Sequence, residues 1–332
     1  VGFGVTIPFD GIPLSEHGEW LRRLEDLGYS DLWSSEADGT DAFTPLALAS
    51  AHTSRMRLGT AIVPVFTRGP ALLAQSAAAM AEAAPGRFAL GVGTSSEVIV
   101  SRWNGLAFDK PYQRTRDLVR FLKLSLAGEK VDQVYETFSV RGFRLGRPPA
   151  VPPSILVAAL RPQMLRLAGR EADGAIINWL AATDVPKVVA ELHAGTQGDL
   201  GSKQSSKEVV ARVFVCPTED ESAARQLGRR LIAAYLNVPV YAKFHQWLGR
   251  AELLEPMWSA WSDGDRKRAL QAIPDQVVDE LILHGSFEEL RSKVDAYLEA
   301  GVTTVTLALL PTDSDLEQVL ASLAPSQAVS RG

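Results

Sequence analysis

The sequence predicts a (β/α)8 TIM barrel, an α/β fold, carrying a small hairpin insertion and a helical insertion after the seventh strand. Three observations support this. Eight short runs of consecutive apolar residues suit strands buried on both faces of a parallel sheet, amphipathic segments with readable ends lie between them, and 332 residues leave surplus beyond one barrel. At roughly 150 residues per domain the length also fits two domains, and a doubly wound sheet is the other arrangement of the same alternation.

Taken in order, the first strand is expected at Gly2 to Ile7, followed by a helix whose stripe of Trp20, Leu21, Leu24 and Leu27 stops at Gly28. Asp31 to Ser35 forms the second strand and Arg57 to Val63 the third. Pro70 opens, and Pro85-Gly86 closes, a helix carrying Leu72, Leu73 and Met80. Arg87 to Val92 is the fourth strand. After the next helix, Val134 to Leu145 alternates, carries an internal Gly142 and predicts a small hairpin laid against the barrel. Ser154 to Ala158, Gly174 to Asn178 and Val209 to Val215 supply the next three strands, with a polar, linker-like loop at Gln197 to Lys207. Residues from about Glu219 to Ser286 are helical, too long for one crossover, and hold Trp247, Trp258 and Trp261; they predict a packed helical subdomain, with a substrate lid as the other possibility. Ser286 and Glu289 form an S-x-x-E capping box for a helix that ends at Gly301, and Thr303 to Leu310 closes the barrel. One domain thus spans 1–325, with insertions at about 131–150 and 219–286 and a frayed tail at 326–332.

Composition narrows the function. A hydrophobic content of 46% against 22% charged residues excludes a largely disordered chain. Thirty-four basic against 39 acidic residues give a formal charge of -5, so neither nucleic acid nor an anionic membrane is the expected partner. Cys216, the single cysteine, excludes intrachain disulfides, Cys-rich zinc sites and Cys-ligated iron–sulfur clusters, and it ends the seventh strand as a small buried hydrophobe. Five histidines without i,i+4 His partners indicate no metal site. The apolar stretches are too interrupted to span a membrane and the start, VGFGVTIPFDG, has no signal-peptide pattern, so a cytoplasmic protein acting on a small molecule is expected.

In a barrel the chemistry sits where strands end. No nucleophile elbow, Walker loop or HExxH motif occurs there. Instead FALGVGTSSEV leaves its strand through Gly91 and Gly93, which let the backbone approach a ligand, into the short donors Thr94, Ser95 and Ser96. The third glycine of a dinucleotide fingerprint is missing. One unit later, Pro162 sits where a helix begins, so the amides around Leu160 to Met164 face outward from a helix N-terminus with Arg161 beside them. Two anion-receptive turns on neighbouring units suit one phosphorylated ligand, although either turn alone is also an ordinary tight connection.

LGTAIVPV, PALLAQSAAAMAE, GRFALGVGTSS, VAALRPQMLRLAGREADG and VTTVTLALLP, in this order, resemble the bacterial luciferase-like monooxygenase superfamily, and within it the F420-dependent oxidoreductase branch. The resemblance covers Val1 to about Val215 and about Val278 to Pro311. It implies a homodimeric enzyme that holds coenzyme F420, or alternatively FMN, at the barrel mouth. The phosphate would lie on Thr94, Ser95 and the amides of Ala159, Leu160 and Arg161. It further implies a non-prolyl cis peptide, here Ala61-Ile62, behind the ring. Two positions depart from the family pattern: Ala37 stands where relatives have a catalytic histidine, and Ser96 where one dehydrogenase type has a glutamate. That leaves Glu36 as the expected acid or ring anchor, with Asp38 or Asp41 as substitutes, and Trp179 as a residue lining the ring or substrate pocket. The resulting expectation is hydride transfer from reduced F420 to an activated C=C or C=N bond. The alternatives are an FMN-dependent monooxygenase and a flavin-binding protein without turnover.

Overall fold

In the computed structural model, which describes residues 1–196 and 206–325, eight parallel strands close into a barrel. They are β1 Gly2–Ile7, β2 Asp31–Ser34, β3 Arg57–Thr60, β4 Phe88–Gly93, β5 Ser154–Ala158, β6 Gly174–Asn178, β7 Glu208–Val215 and β8 Thr304–Leu309. Each pairs with the next, and β8 returns to β1 with Gly4 opposite Thr306. The expected polar loop at Gln197 falls, apart from its last residues, outside the described residues, as does the tail after Pro325.

Apolar residues on consecutive positions are needed because both faces of each strand are covered. Val5, Leu32, Leu58, Leu90, Val157, Ile177, Val213 and Leu307 face the surrounding helices, while Trp33, Ala89, Leu156, Ile176 and Val210 fill the barrel centre. The helices are α1 His17–Asp26, α2 Phe43–His52, α3 Pro70–Ala83, α4 Pro111–Leu126, α5 Pro162–Glu171, α6 Val185–Ala194, then five insertion helices, α12 Phe287–Glu299 and α13 Leu316–Ser322. The capping box forms: Ser286 Oγ accepts from the Glu289 amide at 3.3 Å, and Glu289 accepts from the Ser286 amide at 2.8 Å. At the amino end of the barrel Arg57 closes the interior. It pairs with Glu208, donates to Ser154 at 3.3 Å and lies 3.8 Å from Asp31.

Two details differ from the sequence expectation. The third strand stops at Thr60, and Val63–Pro64 pairs separately with β4 after the chain turns at Ala61 and Ile62. The hairpin begins earlier than Val134. Its strands are Val131–Val134 and Ser139–Phe143, and the internal Gly142, at φ 64°, lies in the second strand. The turn itself is fixed by Asp117 of α4, which accepts from the amide and hydroxyl of Thr137, each at 3.0 Å.

The insertion comprises α7 Glu221–Leu236, α8 Pro239–Leu248, α9 Ala251–Ser262, α10 Arg266–Gln271 and α11 Asp275–Leu281. Leu236, Leu254, Met257, Ile273 and Val278 form its own core, which joins the barrel mouth through Trp179 and Phe214. Trp258 is part of that packing and donates to the Leu236 carbonyl at 2.8 Å. Ile282–Leu283 then pairs with the end of β7 and leads back to the barrel.

His245 is buried in α8 against the Trp179 backbone, without a well-formed hydrogen bond to either ring nitrogen. Burial and the Arg250 charge push its imidazole down to about 3. A folded value below the unfolded one means the unfolded chain binds the extra proton, so stability falls as pH drops below about 6.5. Between pH 7 and pH 5 the wild type should lose about 2 kcal/mol that His245→Gln does not lose. Urea unfolding at both pH values measures this, and equal losses in the two proteins would remove His245 as the cause.

Candidate active site at the barrel mouth

The loop after β2 is set by Glu36. Its carboxylate accepts from Arg68 Nη1 at 2.5 and 2.6 Å, from the Ala42 amide at 3.2 Å and from Thr67 Oγ1 at 3.3 Å. The expected acid or ring anchor is therefore committed to pinning the β2–α2 loop to the segment before α3. Asp41 starts α2 by accepting from the amides of Phe43 and Thr44 at 2.8 and 3.0 Å. Partial burial works against its ionisation, but these bonds and the Arg68 charge outweigh it and hold the carboxyl below its usual range. Asp38 and Ala37 are exposed.

The Ala61-Ile62 peptide bond is cis. Its neighbours are tied to the same loop: Ala61 donates to the Ser34 carbonyl at 2.6 Å, and the Glu36 amide donates to the Ile62 carbonyl at 3.2 Å. Beside this segment the ends of β4 and β5 present Gly93 and Ala158. A Cβ on Gly93 would stand 2.9 Å from Ala158 Cβ and 3.1 Å from Ile62 Cδ1. Trp33 lies beneath, in the same interior cluster as Ala61 and Ile62.

The two anion-receptive turns are adjacent because β4 pairs with β5. Ser95 holds a left-handed backbone at φ 60°, and Thr94 Oγ1 makes only a long 3.4 Å contact to the Ser95 carbonyl. Ser96 is less free than expected, since its hydroxyl accepts from the Ile99 amide at 3.3 Å and starts the wide turn Val98–Trp103. Ala159 also differs. Its amide donates to the Ile176 carbonyl at 3.0 Å, because the ladder continues one residue past β5. That leaves Leu160, Arg161 and the first turn of α5, which has no side-chain cap, so the Gln163 and Met164 amides lack intrahelical acceptors. Arg161 is exposed at the N-cap.

Trp179 follows β6 at φ 55° and is 1% exposed, with ring centroids 4.2 Å from Phe214 and 4.9 Å from Tyr235. Its ring is thus covered by the insertion and does not face the opening. Cys216 is buried, and burial pushes its thiol up to about 11, so it offers no thiolate. Sequence reasoning missed the polar wall opposite the Ala61-Ile62 segment, made by Arg212 on β7, Thr306 on β8, Thr6 on β1 and the Asn178–Tyr241 pair. One signal was present: Arg212 is the only charged residue inside an otherwise apolar strand, VVARVFV.

Among the described residues no helix is long and apolar enough to cross a membrane, and no group of three or more His, Cys, Asp or Glu side chains is placed to hold a metal. The sequence model of luciferase-like monooxygenases matches residues 2–304. A Mycobacterium tuberculosis protein provisionally assigned as a coenzyme F420-dependent oxidoreductase is 26% identical over 331 residues, covering 92% of this chain and 93% of its own. The 5,10-methylenetetrahydromethanopterin reductase of Archaeoglobus fulgidus is 25% identical over 295 residues, covering 86% of this chain and 87% of that protein. The solved coenzyme F420-dependent tetrahydromethanopterin reductase of Methanopyrus kandleri shares the fold, with a TM-score of 0.79 at 20% identity over 98% of this chain and 97% of that one.

Proposed function

Because the chain belongs to the luciferase-like monooxygenase family, we propose that it is an F420-dependent oxidoreductase that reduces an activated C=C or C=N bond of a small organic substrate. The observation that carries this reading is the pairing of two unlike walls at one barrel mouth. An uncapped helix start beside the Thr94–Ser95 turn suits a phosphate, and the small residues Gly93 and Ala158 beside Ala61-Ile62 suit the close approach of a flat ring. The Mycobacterium tuberculosis relative provisionally assigned as F420-dependent, matched over most of its length, supports the deazaflavin.

The residues present fit that group. Leu160, Arg161 and the α5 amides would hold its phosphate with Thr94 and Ser95, at the positive end of the helix dipole. Ala61 and Ile62 would back the ring, beside the small residues Gly93 and Ala158. When bound, the deazaflavin supplies a two-electron hydride donor; the protein positions it and shields the reacting carbon from water. With alanine at position 37, the β2–α2 loop offers no imidazole, and Glu36 is held by Arg68, so neither serves as the proton donor. The hydroxyl of Tyr241, hydrogen-bonded to Asn178 and raised above its usual range mainly by burial, is the protonated group on the opposite wall.

Arg161→Ala tests the phosphate site. If the guanidinium makes one charge-assisted bond, F420 affinity should fall by about 1.5 to 3 kcal/mol, roughly 10- to 150-fold. An unchanged Kd would remove Arg161 from the cofactor site.

A further inference from the structure

The barrel interior holds two arginines with opposite fates. Arg57, at the amino end, is saturated by Glu208, Ser154 and the nearby Asp31, and its guanidinium lies 5.3 Å from the Trp33 ring centroid. Arg212 lies four residues after Glu208 on the same strand and the same face, toward the mouth. Its Nε is enclosed by protein and has no hydrogen-bond partner, and no carboxylate is within ion-pair distance of it among the described residues. Its one close ring contact is Phe214, 4.9 Å from guanidinium carbon to centroid. Burial lowers its proton affinity, while Tyr235, Tyr241 and Asp10 act in the other direction; a guanidinium in a protein nevertheless keeps its charge.

The orphaned groups are not scattered. Thr306 lies opposite Arg212 in the sheet register, and its Oγ1 is buried without a partner. Thr6 Oγ1, on the next strand and two residues beyond Gly4, which pairs with Thr306, is in the same condition. A guanidinium Nε and two hydroxyls left unsatisfied on three consecutive strands are costly to folding, and such groups persist where a ligand completes them. The paired Arg57 shows that this same interior neutralises an arginine when the role is structural.

We propose that Arg212, with Thr6 and Thr306, forms the subsite for a carboxylate of the substrate, so that the substrate class is a small organic monoacid. This rests on the oxidoreductase reading above and names what that site accepts. A carboxylate matches one planar guanidinium fork through two parallel bonds, with the hydroxyls donating to the remaining lone pairs. A phosphate is better served at the other wall, where several open amides converge on the α5 start. Asp10, near enough to feel the Arg212 charge, opposes a second negative charge and favours a monoanion.

The test compares acetate, crotonate and benzoate with their neutral amides, titrated into the cofactor-free protein and into the F420-loaded protein. Tryptophan fluorescence is the readout, since Trp179 packs on the Phe214 ring that Arg212 touches. At least one acid should bind about 10-fold or more tighter than its amide. Arg212→Met should abolish that preference, Arg212→Lys should retain part of it, and Thr306→Val should weaken it. Arg212→Met should also melt at the same or a higher temperature and bind F420 with unchanged affinity, because it removes an unpaired charge rather than a structural pair. No preference for any acid in the wild type would overturn the proposal. So would loss of F420 affinity in Arg212→Met with the acid preference intact, which would assign the guanidinium to the cofactor ring. A lower melting temperature in both Arg212 variants would make the residue structural. Failure of F420 to bind, with acid preference present in the cofactor-free protein, would reject the cofactor and leave this subsite standing.

Discussion

Gly91→Ala is expected to lower folding stability by about 3 kcal/mol, a large effect for a single added methyl. An ideal Cβ at this position falls 2.0 Å from the Thr60 carbonyl oxygen and 2.4 Å from Ile176 Cδ1. The isoleucine tip can rotate away, but the carbonyl belongs to the backbone of β3. It cannot retreat easily, because Thr60 Oγ1 accepts from the Gly91 amide and donates to the Gly91 carbonyl, both at 2.8 Å. The clash therefore spreads β3 from β4 directly below the Ala61-Ile62 segment, and cofactor affinity should fall along with stability. Gly69→Ala is the matched control. Gly69 has φ -61°, and a methyl added there would meet nothing within 4 Å, so its change should stay within about 0.5 kcal/mol. Urea unfolding of the two variants measures the difference, and equal midpoints would mean that the β3–β4 approach is not tight.

Glu36→Ala carries the second large expectation, a loss of about 2 to 3 kcal/mol. Glu36 and Arg68 side chains are 15% and 17% exposed, so removing the carboxylate leaves a mostly buried guanidinium with only the half-exposed Asp41, at 3.9 Å, and frees the Ala42 amide. The partial exposure places the cost below that of a fully buried pair. Glu36→Gln keeps the shape and one acceptor, and should lose about half as much. These variants separate a pin from a proton donor. A pin predicts that both variants lose stability and that turnover falls only in proportion to folded, cofactor-bound enzyme. A proton donor predicts a stable Gln variant with abolished turnover, and that result would restore Glu36 to the chemistry.

The contrast between Glu36 and Arg212 shows what the sequence can convey. Strand identity was readable because runs such as FALGVG and SILVA are apolar at every position, which only a strand covered on both faces requires. Helix ends were readable because Pro70, Ser286 with Glu289, and Gly301 act through local chemistry. Partnerships were not. Arg68 lies 32 residues from Glu36, and Glu208 lies 151 residues from Arg57, so no local pattern shows which acid is spent on which base. The same reason hid the commitment of the Ala159 amide, which depends on the register of β6 against β5. Closure of the ring puts Thr6 and Thr306 beside Arg212, although the two threonines lie at opposite ends of the chain. Family resemblance pointed to the phosphate side of the mouth, whereas the polar wall across from it emerged from the unsatisfied atoms of Arg212, Thr6 and Thr306 beside the Asn178–Tyr241 pair.

Both variants above act beside the Ala61-Ile62 segment that would back a deazaflavin, so cofactor choice is the decisive point. Titration of the purified wild-type protein with F420 and separately with FMN, followed by tryptophan fluorescence, measures it directly, because Trp33 lies in the cluster beneath Ala61 and Ile62. Saturable quenching by F420, with FMN binding markedly weaker, is the expected result. Saturable FMN binding with no response to F420 would contradict it and make the protein a flavin-dependent member of the family.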